Sequence, residues 1–387
     1  MACIPSANKI AGNDDLLTEI LLRLPIRPLL RFKSVSKHWL SLITNPHFCH
    51  RRSRGASGLF LRRTSALLNS EYYFIPLEDT SPTKPPFRTF TFGDCPNLTR
   101  ILQSCNGLLC CWTTGVNAKC NYYIYNPTTH QFTTLPDPVD RVFGYTSGVE
   151  SVQTVNLAFD PSKSPHYKAV CVYSSERLPQ HYEIGVYSSE TGLWRRSGNP
   201  FRADVNFKLG VFWKGAINWA SDWVNSLYFN VDEERLGTLP MPLVPVGVED
   251  RMIGYFGESG DHLHLIEIYG RHITQFNVYE MTEDYSGWSV KYIVDVDAVV
   301  EAFPEIICTH PSGLQFYKFL ILSLIRRNND EESFLVLSTP GKAIRYNFRD
   351  KTLKKLCDLS PLLFENDRAP VFGWRNAFQY IESLSCV

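Results

Sequence analysis

NYYIYNPTTHQFTTLP, residues 121–136, holds two short apolar runs parted by a polar turn. The first run ends at Tyr125 and Asn126-Pro127 breaks it; the second restarts on Phe132. Aromatic and β-branched residues bounded by Asn, Pro and Thr read as strand, turn and strand. The same plan recurs in YEIGVYSSETGLWRRS (182–197), NSLYFNVDEERLGTLP (225–240), TQFNVYEMTEDYSGWSVKY (274–292) and KAIRYNFRDKTLKKLCDL (342–359). A large apolar residue opens each returning strand. The anchors pair as Tyr125 with Phe132, Tyr187 with Trp194, Phe229 with Leu236 and Tyr346 with Leu353, all seven apart. Tyr279 with Trp288 is nine apart, a longer turn of the same design.

Hairpins with aromatic ends pack their side chains on one face. The anchors recur at intervals of 62, 42, 50 and 67 residues, room for four strands per repeat plus loops. Ahead of the hairpins stand SCNGLLCCW, YKAVCVYS, GVFWKGAINWAS, HLHLIEIYG and LQFYKFLILSLI. These are nearly continuous in apolar residues, as inner strands buried on both faces are. Radial repetition of such sheets removes exposed edges, which is the β-propeller solution. Five repeats are visible, and the two ends supply a sixth: SGLFLRRT and EYYFIPL before the first, APVFGWRNAFQYIESL after the last. Phe372, Trp374, Phe378 and Tyr380 alternate as in a strand with one buried face. The expectation is an all-β, six-bladed β-propeller closed by the C-terminal tail. Five or seven blades, or an open β-sandwich, compete with it.

The chain of 387 residues, 44% hydrophobic and 20% charged, has the composition of a globular protein with a sizeable core. Its net charge of zero argues against a general nucleic-acid coat. That zero is unevenly spread: residues 1–63 carry eleven Lys/Arg against three Asp/Glu, or +8, which leaves −8 for the remainder. A basic front is a solvated face, or else it meets an acidic partner or nucleic acid. MACIPSANKIAGNDD lacks the basic and apolar regions of a secretory signal, and the longest apolar run, Phe319 to Ile325, is far short of the roughly 18–20 residues that span a bilayer. A soluble protein of the cytoplasm, the nucleus or both is expected, with no membrane contact. Eleven scattered Cys predict reduced thiols.

The front itself has a different texture: NDDLLTEILLRLPIRPLLRFKSVSKHWLSLITNPHF, residues 13–48. Asn13-Asp14-Asp15 offers a cap and first-turn acids, and Leu16, Leu17, Ile20, Leu21 and Leu24 form a helical stripe that Pro25 stops. Pro28 suits the first turn of a second helix carrying Leu29, Leu30 and Phe32. Ser34 or Ser36 caps a third, with Trp39, Leu40, Leu42 and Ile43, ended by Asn45-Pro46. Three helices of two or three turns lack the core to bury all these groups, so part of the stripe meets the following domain or a second protein.

LLTEILLRLP, the proline-started LLRFKSVSKHW and the closing NPHF together resemble the F-box over about forty residues. The resemblance implies docking on a Skp-type adaptor and, through it, a cullin–RING ubiquitin ligase. Carried over by position, Leu16, Ile20, Leu21, Leu24, Pro25, Leu29, Leu30, Val35 and Trp39 form or support the adaptor-binding surface. One departure stands out: the family opens with Leu-Pro where this chain has Gly12-Asn13, which should weaken the adaptor contact.

SCNGLLCCW with YNPTTHQFTTLP, and AFDPSKSPHYKAVCVYS with VYSSETGLWR, resemble the F-box-associated domain of plant F-box proteins, over most of residues 101–300. The implied organisation is an F-box at 10–50, a linker with the first propeller strands at 51–100, and the F-box-associated propeller at 101–387. In that family the propeller is taken to present the surface that recruits a target. Among the irregular connections, Pro136 to Gln153 places Arg141, Phe143 and Tyr145 together, the residue types that binding hot spots favour. These three are candidate target-binding residues; a cover for a blade edge is the competing reading.

Catalytic patterns are missing. Cys105, Cys110, Cys111 and Cys120 cluster without metal-ligand spacing and fill strands, and His262-x-His264 lacks a third ligand. Asp232-Glu233-Glu234 and Asp330-Glu331-Glu332 read as solvated turns, and Gly107 as a turn glycine. Of Trp213, Trp219 and Trp223, two are expected in inner strands. RRSR and RR (51–54, 62–63) read as a solvated junction, or else a nuclear address. No catalytic residue, metal or cofactor is expected, and the protein is not expected to be an enzyme. The leading expectation is a substrate-recognition subunit of a Skp–cullin–F-box ligase. A non-degradative F-box scaffold and a ligand- or sugar-binding propeller are the alternatives.

Overall fold

The structure is a computed structural model and describes residues 12–52, 55–63, 71–78, 85–93, 95–114, 120–138, 152–175, 178–221, 226–244, 251–269, 275–309, 315–327, 329–359 and 373–387. Four short helices come first: α1 (Asp14–Leu22), α2 (Ile26–Phe32), α3 (Lys37–Thr44) and α4 (Pro46–Arg52). Asn13 caps α1, its Oδ1 accepting from Leu16 N at 3.1 Å, and Ser36 caps α3 by accepting from Trp39 N at 3.1 Å. The sequence led us to expect three helices. Asn45-Pro46 does end α3, but it also starts α4: proline tolerates the first helical position, and Asn45 Oδ1 accepts from His47 N at 2.8 Å.

The rest is a ring of six blades. β3 (Arg100–Cys105), β4 (Leu108–Thr114), β5 (Cys120–Asn126) and β6 (Gln131–Thr134) form one antiparallel sheet. The next three are β7 (Val152–Ala158) to β10 (Leu193–Phe201), β11 (Val211–Trp213) to β14 (Arg235–Leu239), and β15 (Arg251–Ser259) to β18 (Trp288–Asp295). After α5 (Val296–Ala302) and a side hairpin, β19 (Ile307–Thr309) with β20 (Gln315–Tyr317), comes β21 (Leu320–Ile325) to β24 (Leu353–Asp358). The sixth blade has three strands: β1 (Gly58–Arg63) pairs β2 (Glu71–Pro76) on one side and β25 (Ala377–Tyr380) on the other. The tail therefore closes the ring, as Phe60↔Phe378 and Gly58↔Tyr380 show. Phe372, read as part of that strand, lies outside the described residues.

The four seven-apart anchors are direct cross-strand partners: Tyr125↔Phe132, Tyr187↔Trp194, Phe229↔Leu236 and Tyr346↔Leu353. The nine-apart pair is not. Trp288 faces Met281, and Tyr279 faces Val290, because the turn over 282–287 is knit by Thr282 Oγ1; the register shifts only further along, between Val278 and Tyr279. A second correction concerns LQFY, read as an inner strand, whose Gln315–Tyr317 forms the side hairpin instead.

Each apolar cluster of the ring spans two neighbouring blades. One joins Cys110 and Ile124 to Val155 and Cys171, and the next joins Val170 and Val186 to Ile217 and Trp219. The others repeat this around the circle, ending where Phe60, Phe378 and Tyr380 meet Ile101 and Tyr125. Blades are thus fastened by burial, at about 25 cal/mol per Å2 of apolar surface. Polar latches add direction. Trp194 Nε1 donates to Pro136 O at 2.8 Å and Trp288 Nε1 to Pro240 O at 2.7 Å, each reaching the TLP segment that leaves the preceding blade.

Candidate partner-binding surfaces

The helical block divides its apolar residues sharply. Leu17, Leu21, Ile26, Leu29, Ile43 and Phe48 pack into one cluster, with Leu21 and Leu29 wholly buried. Leu24, Leu30 and Trp39 are partly buried against it, Trp39 edge-on to Phe32 with ring centroids 5.2 Å apart. Pro25 is exposed, and so are Leu16 at 50%, Ile20 at 45% and Val35 at 59%. Four of the nine family-derived residues therefore face outward, and five support them from within or at the margin. Leu40, 41% exposed on α3, joins the outward group and was not among the nine. Its signal was its place one residue after Trp39 on the same helix.

Leu16 and Ile20 are four apart, so they share one face of α1. Asp14 Oδ1 lies 2.9 Å from His38 Nε2, tying the start of α1 to the start of α3, and Arg51 pairs with Glu19. Arg52 Nη1 donates to Leu22 O at 3.1 Å, so the basic run 51–52 serves the block's own closure.

Residues 381–387 run between the block and the propeller. Leu384 enters the helical cluster, and Lys33 Nζ donates to its carbonyl. Asn126 Nδ2 donates to Ser383 O at 3.1 Å and Ser385 O at 2.8 Å, holding the same segment to the blade of β3–β6. Gly107, at φ +87°, could carry no side chain here: a Cβ would lie 2.4 Å from that of Ser383. No periodicity in seven residues announces such a role.

The propeller axis is a cavity of about 730 Å3 walled by the first strands β3, β7, β11, β15 and β21 and by β25. Its stitching is polar: Gln103 Nε2 donates to Leu157 O at 3.0 Å, and Gln379 Nε2 to Glu258 O at 3.1 Å. Glu258 stands on the wall, and burial pushes its carboxyl up to about 7.

The chemical candidates from the sequence take structural places. Cys105, Cys110 and Cys111 are buried and burial raises their thiols, while Cys110 Sγ donates to Val155 O at 3.4 Å. His262 and His264 both face Glu280, at 3.3 and 3.5 Å, in a pairing shared with Arg326. Asp232 and Glu234 pair with Lys168 and Arg195. Trp213 and Trp219 are buried in β11 and β12 (Ala216–Trp219); Trp223 lies outside the described residues. Among the described residues no three His, Cys, Asp or Glu side chains gather as metal ligands. Arg141, Phe143 and Tyr145, the candidate target-binding residues, also lie outside the described residues.

Comparison with known proteins agrees with this division. Residues 13–51 match the model of the F-box domain, and residues 72–294 match that of the F-box associated beta propeller domain. F-box protein At5g07610 of Arabidopsis thaliana is 36% identical, over 99% of this chain and 94% of its own length. F-box only protein 8 of the same plant is 28% identical, over 59% and 79% respectively. The solved structure of TolB from Acinetobacter baumannii superposes with a TM-score of 0.38 at 11% identity, over 74% of this chain and 61% of that one, too distant to argue from.

Proposed function

The chain belongs to the plant-type F-box proteins with an F-box-associated β-propeller, and on that premise we propose that it is a substrate receptor of a Skp–cullin–F-box ubiquitin ligase. The helical block docks on a Skp-type adaptor, which connects to the cullin–RING ligase. The propeller holds a target protein. The receptor performs no covalent step; it raises the local concentration of target near the ubiquitin-charged enzyme. Residues 10–50 are in this reading the adaptor-binding unit and 101–387 the target-binding one, joined by 51–100. The protein works without metal or cofactor, in the cytoplasm, the nucleus or both.

One observation carries the reading: Leu16, Ile20, Val35 and Leu40 stand uncovered on a block of 39 residues, α1 through α4. Exposed apolar patches of this kind mark interaction sites. Asn13 supports it from the other side, since the departure from the family's Leu-Pro is a helix cap that keeps the stripe in place. The test is capture of a recombinant Skp-type adaptor by the full chain and by Leu16→Asp/Ile20→Asp. Hot-spot truncations cost about 2 kcal/mol or more, so the double variant should lose capture while melting as before. Undiminished capture would remove the block from the adaptor contact. A non-degradative scaffold would capture adaptor yet bring down no cullin, which adding recombinant cullin to the same capture reads.

A further inference from the structure

Two thiols stand at the seam between the helical block and the propeller. Cys49 sits on α4, half-buried, its Sγ donating to Ile43 O at 3.7 Å. It also walls a narrow cleft of about 40 Å3, with Ile26 and Arg52 of the block, Asn106 and Pro161 of the propeller, and Ser385 of the tail. Cys386 follows Ser385 by one residue, about 3.8 Å of backbone. Its flanks are held in place. Asn126 Nδ2 donates to Ser385 O at 2.8 Å, Ser385 N donates to Ser383 Oγ at 3.2 Å, and Val387 packs against the cluster of Cys105 and Tyr122. Cys386 itself is exposed, the one cysteine of that class among the described residues.

The electrostatics put each sulfur in the other's field. Burial raises the Cys49 thiol, the Lys33 ammonium opposes that rise, and a charge on Cys386 adds to it. Lys33 Nζ also donates to Leu384 O, so cation, thiol and tail share one corner. The blade cysteines differ: Cys105, Cys110, Cys111 and Cys171 are buried, and burial raises their thiols. An exposed thiol next to a half-buried one is the arrangement of a reactive cysteine and its resolving partner. A disulfide needs Cα atoms about 4.4–6.8 Å apart, a span that a residue adjoining the shared cleft wall reaches with a small movement of the tail.

We propose that Cys49 and Cys386 form a reversible disulfide when the protein meets a peroxide, fastening the helical block to the propeller through the tail. This goes beyond the receptor reading and does not depend on it. The Cys386 thiolate attacks one oxygen of hydrogen peroxide: the S–O bond forms, the O–O bond breaks, and hydroxide leaves and takes up a proton to give water. The Cys49 thiolate then attacks the sulfenic sulfur: the S–S bond forms, the S–O bond breaks, and the second hydroxide leaves as water. Two thiols give up two electrons and two protons, and one peroxide becomes two waters. A dithiol reductant reverses the bond by exchange. Without it, the block is tied to the propeller by the chain between α4 and β1 and by the noncovalent contacts of residues 381–387. The disulfide adds a second covalent path, from α4 through the tail to β25.

The experiment treats the full chain with graded hydrogen peroxide, blocks the remaining thiols with N-ethylmaleimide, and maps the digest by mass spectrometry without reductant. A peptide pair joining Cys49 to Cys386, two hydrogens lighter than the sum of its parts, should dominate the oxidised products and vanish on treatment with dithiothreitol. Cys386→Ser and Cys49→Ser should each abolish it; the first alters an exposed side chain, so the fold is not at stake. In Cys386→Ser, Cys49 should be oxidised about tenfold more slowly than in the unaltered chain, because it is half-buried and burial favours its thiol form. Hydrogen exchange across 14–52 should slow about tenfold in the oxidised chain and recover on reduction, while Cys386→Ser shows no such response. Disulfides of either cysteine with another partner, dimers through Cys386, or oxidation of Cys386 to sulfinic acid without the bond would each overturn the pairing. The bond without slowed exchange would overturn the fastening.

Discussion

The helical block and the propeller treat apolar surface in opposite ways. The block leaves uncovered four of the thirteen large apolar side chains exposed among the described residues, although it spans only 39 residues. The ring scatters the other nine over the described residues from 55 onward, and its first and last strands pair as β1 with β25. Size explains part of this, because a segment of about forty residues cannot enclose a core. The remainder is a division of labour. A closed ring pairs its own first and last strands, while the open block leaves apolar surface that the proposed adaptor would cover. The tail residues Ser383, Leu384 and Ser385 touch both and are the seam between them.

The strongest way to break that contrast is to open the ring. Deleting residues 373–387 removes β25 from the edge of β1, uncovers Phe60 and Tyr72, and takes Leu384 from the helical cluster. An unpaired apolar edge is an aggregation site. The deletion should give aggregates by size-exclusion chromatography and no cooperative melt. A monomer with an unchanged melting temperature would mean that closure contributes nothing.

Next in size is the boundary between buried and exposed leucines. Leu21→Ala should cost about 2–5 kcal/mol because a wholly buried leucine leaves a cavity. Hydrogen exchange should accelerate across 14–52 and stay slow in β3–β5, since the block opens as its own unit. Leu16→Ala, at the surface, should stay within about 0.5 kcal/mol. If Leu21→Ala quickens exchange in the propeller to the same degree, block and ring are one cooperative unit and the comparison fails.

Much of this was legible in the sequence because the ring repeats itself. A seven-residue spacing between aromatic anchors is a register, and four such spacings became four cross-strand pairs. The fifth misled, because a longer turn lets a hydroxyl such as that of Thr282 close the loop wherever its hydrogen bonds fall. The helical stripe was equally plain. Its division into inward and outward residues was not: Leu16 and Leu17 are both leucines of one stripe, and only the packing partners tell them apart. The cations on the cavity wall were invisible for a different reason. Arg62, Arg100, Lys208 and Arg375 lie far apart in the chain and meet only when the ring closes.

The smallest effect tests whether the channel is as dry as its walls suggest. Glu258 Oε1 accepts from Asp261 N at 2.9 Å, yet burial outweighs that bond and lifts the carboxyl from its ordinary 4.5 to about 7, with the Asp261 charge adding to the rise. Between those two values the folded protein holds a proton that the unfolded chain has released. Stability must therefore fall as pH climbs from about 4.5 to 7 and level off above, by an amount on the order of 1–3 kcal/mol. Glu258→Gln keeps an acceptor for the Asp261 amide and carries no charge. It should match the unaltered protein near pH 4.5 and exceed it at pH 8 by that same amount. Because other carboxylates titrate too, the quantity to follow is the difference between the two proteins in chemical denaturation, read by tryptophan fluorescence at a series of pH values. A difference that grows with pH places an uncharged-preferring carboxyl on the cavity wall of the propeller. A difference that stays flat would mean that water reaches Glu258 freely and that burial does not hold its proton.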